Sequence, residues 1–567
     1  MALEATAGSL WRWIPGALFG GRRVRLRTLF TPWTIAALIV GGLVLIPLIS
    51  VFLGIFRESN GSWGHLASTV LWSYLRHSAL LMLGVGAMTA VIGVTTAWLV
   101  TIYDFPGQKL FTWGLVLPLA IPTYIIAYIY AALFAHTGPV QGALQLFMEP
   151  ATTASLRTSL MSLPGAGILM GLVLFPYVYL TTRASLMRQS EGLLESARIF
   201  GKSPWKTFSR VALPMARPGI VAGVTLVLME VLNEYGAVRY FGVTTLTTGI
   251  FRAWSQMGDT PAAIRLSGCL LLFVFFLITL ERTQRGRARF DHGSSRFRPL
   301  PRISLTGWKR WGAFLVCALP LLLGFLVPVL QLLVWATRVT PEFLDPRFLR
   351  LTLNSFLLAL GAAFLTVSGA LLIVFATRLS PTPILRLWSR VASLGYSIPG
   401  VVIAMGVLIP FVWLDRRISR VLLELTGTPV GLILTGTVGA LLFAYFVRFL
   451  AVAMNPVDAG FRRICGNLDE CSRSLGASPM KSLFRVDVPL LRGTLLSAGL
   501  LVFVDVLKEL PLTLILRPFN FDTLATRTFH LVMNEEVVRS APTSLIIILT
   551  GMIPVILLSR IMGKPGR

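Results

Sequence analysis

Three groups of residues have the types and spacings that chemistry requires. Gly201-Lys202-Ser203 is the tail of a phosphate-binding loop, while Glu230, Asn233 and Glu234 share the spacing i, i+3, i+4 with Asp505, Lys508 and Glu509. A phosphate loop needs G-x-x-x-x-G-K-[ST] between a strand and a helix, so that backbone N–H groups wrap the phosphates. Here Ser196 stands where the first glycine is required, and LLESARIF before Gly201 reads as helix. Nucleotide chemistry on this chain is therefore not expected. The five histidines are scattered without a zinc-binding pattern, the four cysteines lack ligand spacing, and no nucleophile is paired with a base. No metal ligands are assigned.

The elements that must position the two trios are membrane helices. Of 567 residues 55% are hydrophobic and only 13% charged, against about 25% charged in soluble domains. Twelve apolar runs are long enough to span a bilayer, at 33–56, 78–103, 110–135, 165–182, 218–239, 263–281, 311–337, 354–377, 391–414, 428–453, 493–516 and 543–560. Lipid offers no hydrogen-bond partner, so these runs are helices and the expected fold is all-α. Pro122 and Pro399 should break or kink the third and ninth runs. Gly84, Gly86 and Gly93 read as helix-packing sites. Tyr124, Tyr128 and Tyr130 read as packing aromatics, and Arg265 as an interfacial side chain.

The net charge of +27 lies in the N-terminal tail, in a linker near 282–310, and around residues 183–217. With twelve spans these segments share one side, and the bias of basic residues makes it the cytoplasm, with both termini there. Loops 57–77 and 240–262, on the other side, have little basic excess. The charge reports orientation in a lipid bilayer, not a nucleic-acid partner. No cleavable signal is expected, because the first apolar run follows a long basic tail.

The chain is written twice. ESARIFGKSPWKTFSRVALP at 195–214 recurs as ECSRSLGASPMKSLFRVDVP at 470–489. LPLAIPTYIIA (117–127) parallels LGYSIPGVVIA (394–404), and MEVLNEY (229–235) parallels VDVLKEL (504–510). The expected organisation is two parallel six-helix repeats, 1–281 and 311–567, joined by the basic cytoplasmic linker 282–310. Ala477 replaces Lys202 in the second copy, so the GKS string is not a shared device.

Each repeated stretch reads as helix–turn–helix. Gly201 or Gly476 ends the first helix in the left-handed conformation. Ser203-Pro204 or Ser478-Pro479 caps and starts the second, and Pro214 or Pro489 is expected to end it. Shared offsets favour a docking knob over a plain elbow.

This pattern closely resembles the EAA loop of ABC-importer permeases. The match runs through Glu195, Ser196, Ala197, Gly201, Ser203, Pro204 and Pro214, and again through Glu470, Cys471, Ser472, Gly476, Ser478, Pro479 and Pro489, with Cys471 and Ser472 in place of the usual alanines. The resemblance covers nearly the whole chain and is to the fused subclass, in which one polypeptide supplies both permease halves. It implies a bacterial-type inner-membrane transport subunit, not an enzyme. It further implies coupling loops seated on two separate ATP-binding subunits, which would use the ATP and Mg, and an extracytoplasmic substrate-binding protein. This chain itself would bind no cofactor.

Charges inside a span cost about 2.5–3.5 kcal/mol on insertion scales, so the two trios need a reason. They either line a translocation path or form a polar seam, for instance Lys508 with Glu230 or Glu234. The stretches 229–254 and 121–134 are similar to ferric-iron-type permeases, within a wider group for thiamine, polyamine and sulfate. An ion-gradient-driven secondary transporter is the rival class.

Overall fold

Uniformly apolar runs satisfy their backbone only along their own axis. The computed structural model is accordingly helical through most of its described residues, 31–58, 61–187, 203–285, 302–427 and 431–562. Among the described residues ten helices are long and apolar enough to cross a bilayer, and two bent helix pairs bring the number to twelve when each pair counts as one span. In the first pair Gln108–Ala120 meets Thr123–Leu133 at 90°. The second pair, Pro383–Ser397 and Gly400–Thr426, breaks at the corresponding place. Both breaks fall at the prolines named from sequence, Pro122 and Pro399. Ile121, held extended ahead of Pro122 (φ −95°, ψ 117°), shows the restriction a proline puts on its predecessor.

Three sequence expectations change. The tenth span is Val438–Arg463 rather than 428–453. Gly400–Thr426 runs on past Asp415, Arg416, Arg417 and Arg420, charges that hydropathy reads as an end. Asp415 is buried because its carboxylate accepts the backbone N–H groups of Ile433, Leu434 and Thr435 at 2.7–3.0 Å.

Second, Pro214 and Pro489 do not end their helices. Pro204–Thr207 passes through a π turn, Phe208–Ala212, into Leu213–Asn233. Pro479–Ser482 passes through Leu483–Asp487 into Val488–Lys508. The Leu213 N–H reaches back to the Phe208 carbonyl, and that of Val488 to Leu483. A proline placed just after this wider turn has no N–H to satisfy and escapes the clash with the carbonyl four residues back.

Third, the segment read as a linker is partly structured. Thr260–Arg285 continues into it, and Ile303–Ser304 pairs in parallel with Tyr103–Asp104.

The chain divides into two compact units. One comprises Met1–Leu48, Leu360–Tyr396 and Tyr445–Phe503. In it the Trp388 indole donates to the Leu38 carbonyl at 2.9 Å beside Gly41, where a Cβ would lie 2.2 Å from the ring. Arg378 donates to the carbonyls of Phe461 and Ile464 at 2.6 and 3.3 Å, which secures the end of Val438–Arg463. The other unit comprises Ile49–Ala359, Ser397–Ala444 and Val504–Arg567. Gly93 lets Leu71–Ile102 approach Leu163–Met187, since a Cβ there would lie 2.7 Å from Val178 and 2.9 Å from the Tyr179 nitrogen. Gly86 packs against Leu228, but Gly84 faces open space and is no packing site. Arg265 holds the carbonyls of Ile55 and Arg57 at 3.2 and 2.7 Å, so it also closes the end of the first span.

Candidate functional site

The second repeated turn is described in full. Gly466–Ser474 ends where Gly476 takes φ +77°. The N–H groups of Leu475, Gly476 and Ala477 return to the carbonyls of Cys471, Arg473 and Ser472 at 2.9–3.1 Å. Such a left-handed exit satisfies carbonyls that a helix end otherwise leaves open. Ser478 then caps the next helix, its hydroxyl accepting the Lys481 N–H at 3.3 Å, with Pro479 in the first turn. Glu470 and Cys471 are exposed and Ser472 is buried. Leu475, Met480 and Phe484 are exposed around the turn, Leu475 to 88%. In the first copy Ser203 accepts the Lys206 N–H at 3.4 Å ahead of the helix begun by Pro204, and Trp205 is exposed. Glu195, Ser196, Ala197 and Gly201 lie outside the described residues.

The two charged trios lie in one unit, but not as a single helix face each. The helices end at Asn233 and Lys508, so Glu234 and Glu509 stand just beyond them. A new short helix begins at Gly236 in one repeat and at Pro511 in the other. Each glutamate caps the helix that follows. Glu234 Oε1 accepts the Ala237 N–H at 2.8 Å, and Glu509 Oε1 accepts the Leu512 N–H at 3.3 Å. Pro511 cannot extend the preceding helix without losing a hydrogen bond. Gly236 is required for close approach, because a Cβ there would lie 2.6 Å from Tyr124 and 2.9 Å from Leu510.

Both broken spans contact this region. Thr123, first residue after the Pro122 break, donates its hydroxyl to Glu234 Oε2. Asn233 Oδ1 accepts the N–H of Gly400, first residue after the Pro399 break, at 2.8 Å. The Tyr124 hydroxyl is buried with no hydrogen-bond partner among the described residues, within electrostatic range of both Glu234 and Glu509. Tyr128 and Tyr130 are satisfied, by Ser544 Oγ and by the Leu323 carbonyl. Lys508 pairs with Asp505 at 2.8 Å, both partly exposed, and Glu230 acts on the same ammonium. Among the described residues no three His, Cys, Asp or Glu side chains converge as a metal cage.

Spacing singles out the carboxylates but not Thr123, Tyr124 and Gly400. Their signal was position, immediately after matched Ile-Pro pairs. A further pair of matched contacts frames the cluster. Ser78 accepts the Leu246 N–H at 3.0 Å and Ser355 the Leu524 N–H at 2.8 Å, each at a short helix capped by a threonine, Thr245 or Thr523.

Residues 89–282 match the family described as "Binding-protein-dependent transport system inner membrane component". The sulfate transport system permease protein CysT of Escherichia coli is 30% identical over 210 residues, which span 36% of this chain and 73% of CysT. The chain belongs to this family. The permease is also 26% identical to the Fe(3+)-transport system permease protein FbpB 2 of Haemophilus influenzae over 491 residues, 86% of this chain and 89% of that protein. The molybdenum transport system permease protein ModB of the same organism is 28% identical over 188 residues, 33% of this chain and 79% of ModB. The permease is thus a multi-pass inner-membrane subunit of an ABC importer, a transport component and not an enzyme, and its family implies a binding protein and an ATPase as partners.

Proposed function

We propose that this permease passes ferric iron from an extracytoplasmic binding protein to the cytoplasm. The observation that carries the cargo is the extent of the likeness to the Fe(3+) permease, 86% of the chain, against 33–45% for the sulfate and molybdenum permeases. Carboxylate oxygens at Glu230, Glu234, Asp505 and Glu509 suit a hard cation. They and Asn233 and Lys508 form the path where the repeats 1–281 and 311–567 come together. A sulfate or molybdate cargo is the second reading, favoured by the shorter likenesses.

In this reading residues 195–214 and 470–489 seat two ATPase subunits, on the cytoplasmic side with both termini and the 282–310 linker. Exposed Leu475, Met480 and Trp205 supply apolar surface for the seats. ATP and Mg act in the partner, and this chain needs no cofactor. The ATPase drives the cycle only by binding the two permease states with different affinity.

The test is uptake into proteoliposomes holding the permease with its co-purified ATPase and binding protein. Labelled Fe(III), sulfate and molybdate are offered in parallel. The expected result is ATP-dependent iron uptake that is lost in Gly476→Asp. Uptake of an oxyanion instead refutes the cargo, and uptake abolished by an uncoupler yet indifferent to ATP refutes the importer mechanism.

A further inference from the structure

A cavity of about 370 Å³ opens in the second repeat, lined in part by Arg347, Arg350, Asn354, Arg527 and Arg539, with Asp345 and Asp522 as the acidic residues. Its balance is more positive than that list suggests. Asp522 is engaged by Arg517, and Asp345 Oδ1 accepts the Arg347 backbone N–H at 2.8 Å. Arg539 is paired with Glu536. Arg347, Arg350 and Arg527 belong to no ion pair among the described residues, and all three are exposed. Arg347, Arg350 and Asn354 follow one another at i, i+3 and i+7 along the start of Pro346–Leu379, so they share a helix face.

The fold does not require these charges. Ser78 and Ser355 are matched positions 277 residues apart. The same offset puts Val70, Ser73 and His77 where Arg347, Arg350 and Asn354 stand. In that first repeat His77 is taken up by Thr244, at 2.8 Å from its hydroxyl. At these matched positions one repeat thus carries arginine, arginine and asparagine where the other carries valine, serine and histidine. The bowl's side of the membrane is informative too. The bowl begins beyond the far end of Trp308–Arg338, a helix of 31 residues and about 46 Å that starts at the basic linker. Resting on the orientation proposed above, it faces the extracytoplasmic space.

We infer that this bowl receives the carboxylates of an acidic knob on the extracytoplasmic binding protein. Charge complementarity selects the occupant: arginine forks match carboxylates two bonds at a time, and three unpaired forks around one half-open cavity suit a protruding acidic side chain better than a flat contact.

The experiment uses the full chain with its ATPase in nanodiscs and the binding protein that co-purifies with it. Affinity is measured across a salt series for wild type, Arg350→Lys, Arg350→Gln and Arg347→Gln/Arg350→Gln/Arg527→Gln. The triple variant should bind at least about tenfold more weakly at low salt and lose most of the salt dependence, chiefly through slower association. Arg350→Gln should fall between wild type and the triple variant, Arg350→Lys, which keeps the charge but not the fork, between wild type and Arg350→Gln, and ATPase co-purification should be unchanged. An unaltered affinity and salt slope in both glutamine variants overturns the inference and leaves the importer reading standing. Inorganic phosphate is titrated separately. Phosphate binding that the triple variant abolishes, with binding-protein affinity untouched, assigns the bowl to a free oxyanion and overturns the docking role. A wild-type chain that binds no binding protein overturns both readings. If the triple variant does not fold, Arg350→Gln and the wild-type salt slope decide alone.

Discussion

Gly476 isolates the turn at 470–489 from everything else the chain does. Its φ of +77° lies in the left-handed region, and a Cβ there would meet nothing within 4 Å. Gly476→Ala therefore adds no clash, only the backbone strain of an L-residue, about 1–2 kcal/mol. That energy lowers the folded-to-open ratio of the turn by roughly 5–30-fold, and a partner that binds only the folded turn should lose affinity in proportion to the folded fraction, by up to the same factor. Gly476→Asn should lose less, because asparagine tolerates this region, and Gly476→Val more. Gly493→Ala is the control: its Cβ also meets nothing within 4 Å, but its φ is ordinary. The assay is the affinity of the purified ATPase subunit for the permease in nanodiscs, with yield and membrane insertion recorded alongside. An affinity order of Gly, Asn, Ala, Val supports the seat. Equal affinities across the series, or the same loss in Gly493→Ala, would falsify it.

Other perturbations test the packing and the polar cluster. Gly93→Ala forces a Cβ to within 2.7 Å of Val178 and should cost about 1–3 kcal/mol of stability, whereas Gly84→Ala, in open space, should cost nothing measurable in the same thermal melts. Tyr128→Phe removes a buried hydrogen bond to Ser544 and should lower stability by about 1 kcal/mol, read from denaturation in detergent. Asp505→Asn leaves Lys508 without its carboxylate at 2.8 Å, so uptake and stability should fall further than in Asp505→Asn/Lys508→Gln, where no ammonium is stranded. His530 supplies a pH test. Burial, then Arg517 and Arg527, hold its pKa below the ordinary value, against an opposing pull from Asp522. Arg517 lies 3.1 Å from His530 Nε2 and can only donate, so that nitrogen must stay unprotonated. The contribution is present above the unfolded pKa and lost as pH falls through the folded one. The melting temperature of wild type should thus drop more between pH 7.5 and 5.5 than that of His530→Gln, and parallel curves would refute the assignment.

Much of the architecture was legible because bilayer helices announce themselves by hydropathy and because Pro122 and Pro399 restrict their own neighbours. The turn at Gly476 was legible for a similar reason, since left-handed exits and serine caps are local chemistry. The end of each charged helix was not. Asn233-Glu234 and Lys508-Glu509 look helical in sequence, and only the approach of Tyr124 to Gly236 and the proline at 511 explain why the chain turns there. The π turns before Pro214 and Pro489 were invisible too, since one extra residue in a helical repeat leaves no trace in composition. The basic bowl escaped notice because its arginines come from three segments that meet only after folding.

The uninterrupted course of Trp205–Asn233 has a mechanical corollary. Twenty-nine residues, about 43 Å of helix, absorb Pro214 and Pro218 without a break. Asn233 at the far end holds Gly400, and Glu234 just beyond it holds Thr123 and Ala237. If the proposed coupling role holds, a tug on the indole end would reach the kinks of two other spans through this one rod, by way of the bonds to Gly400 and Thr123.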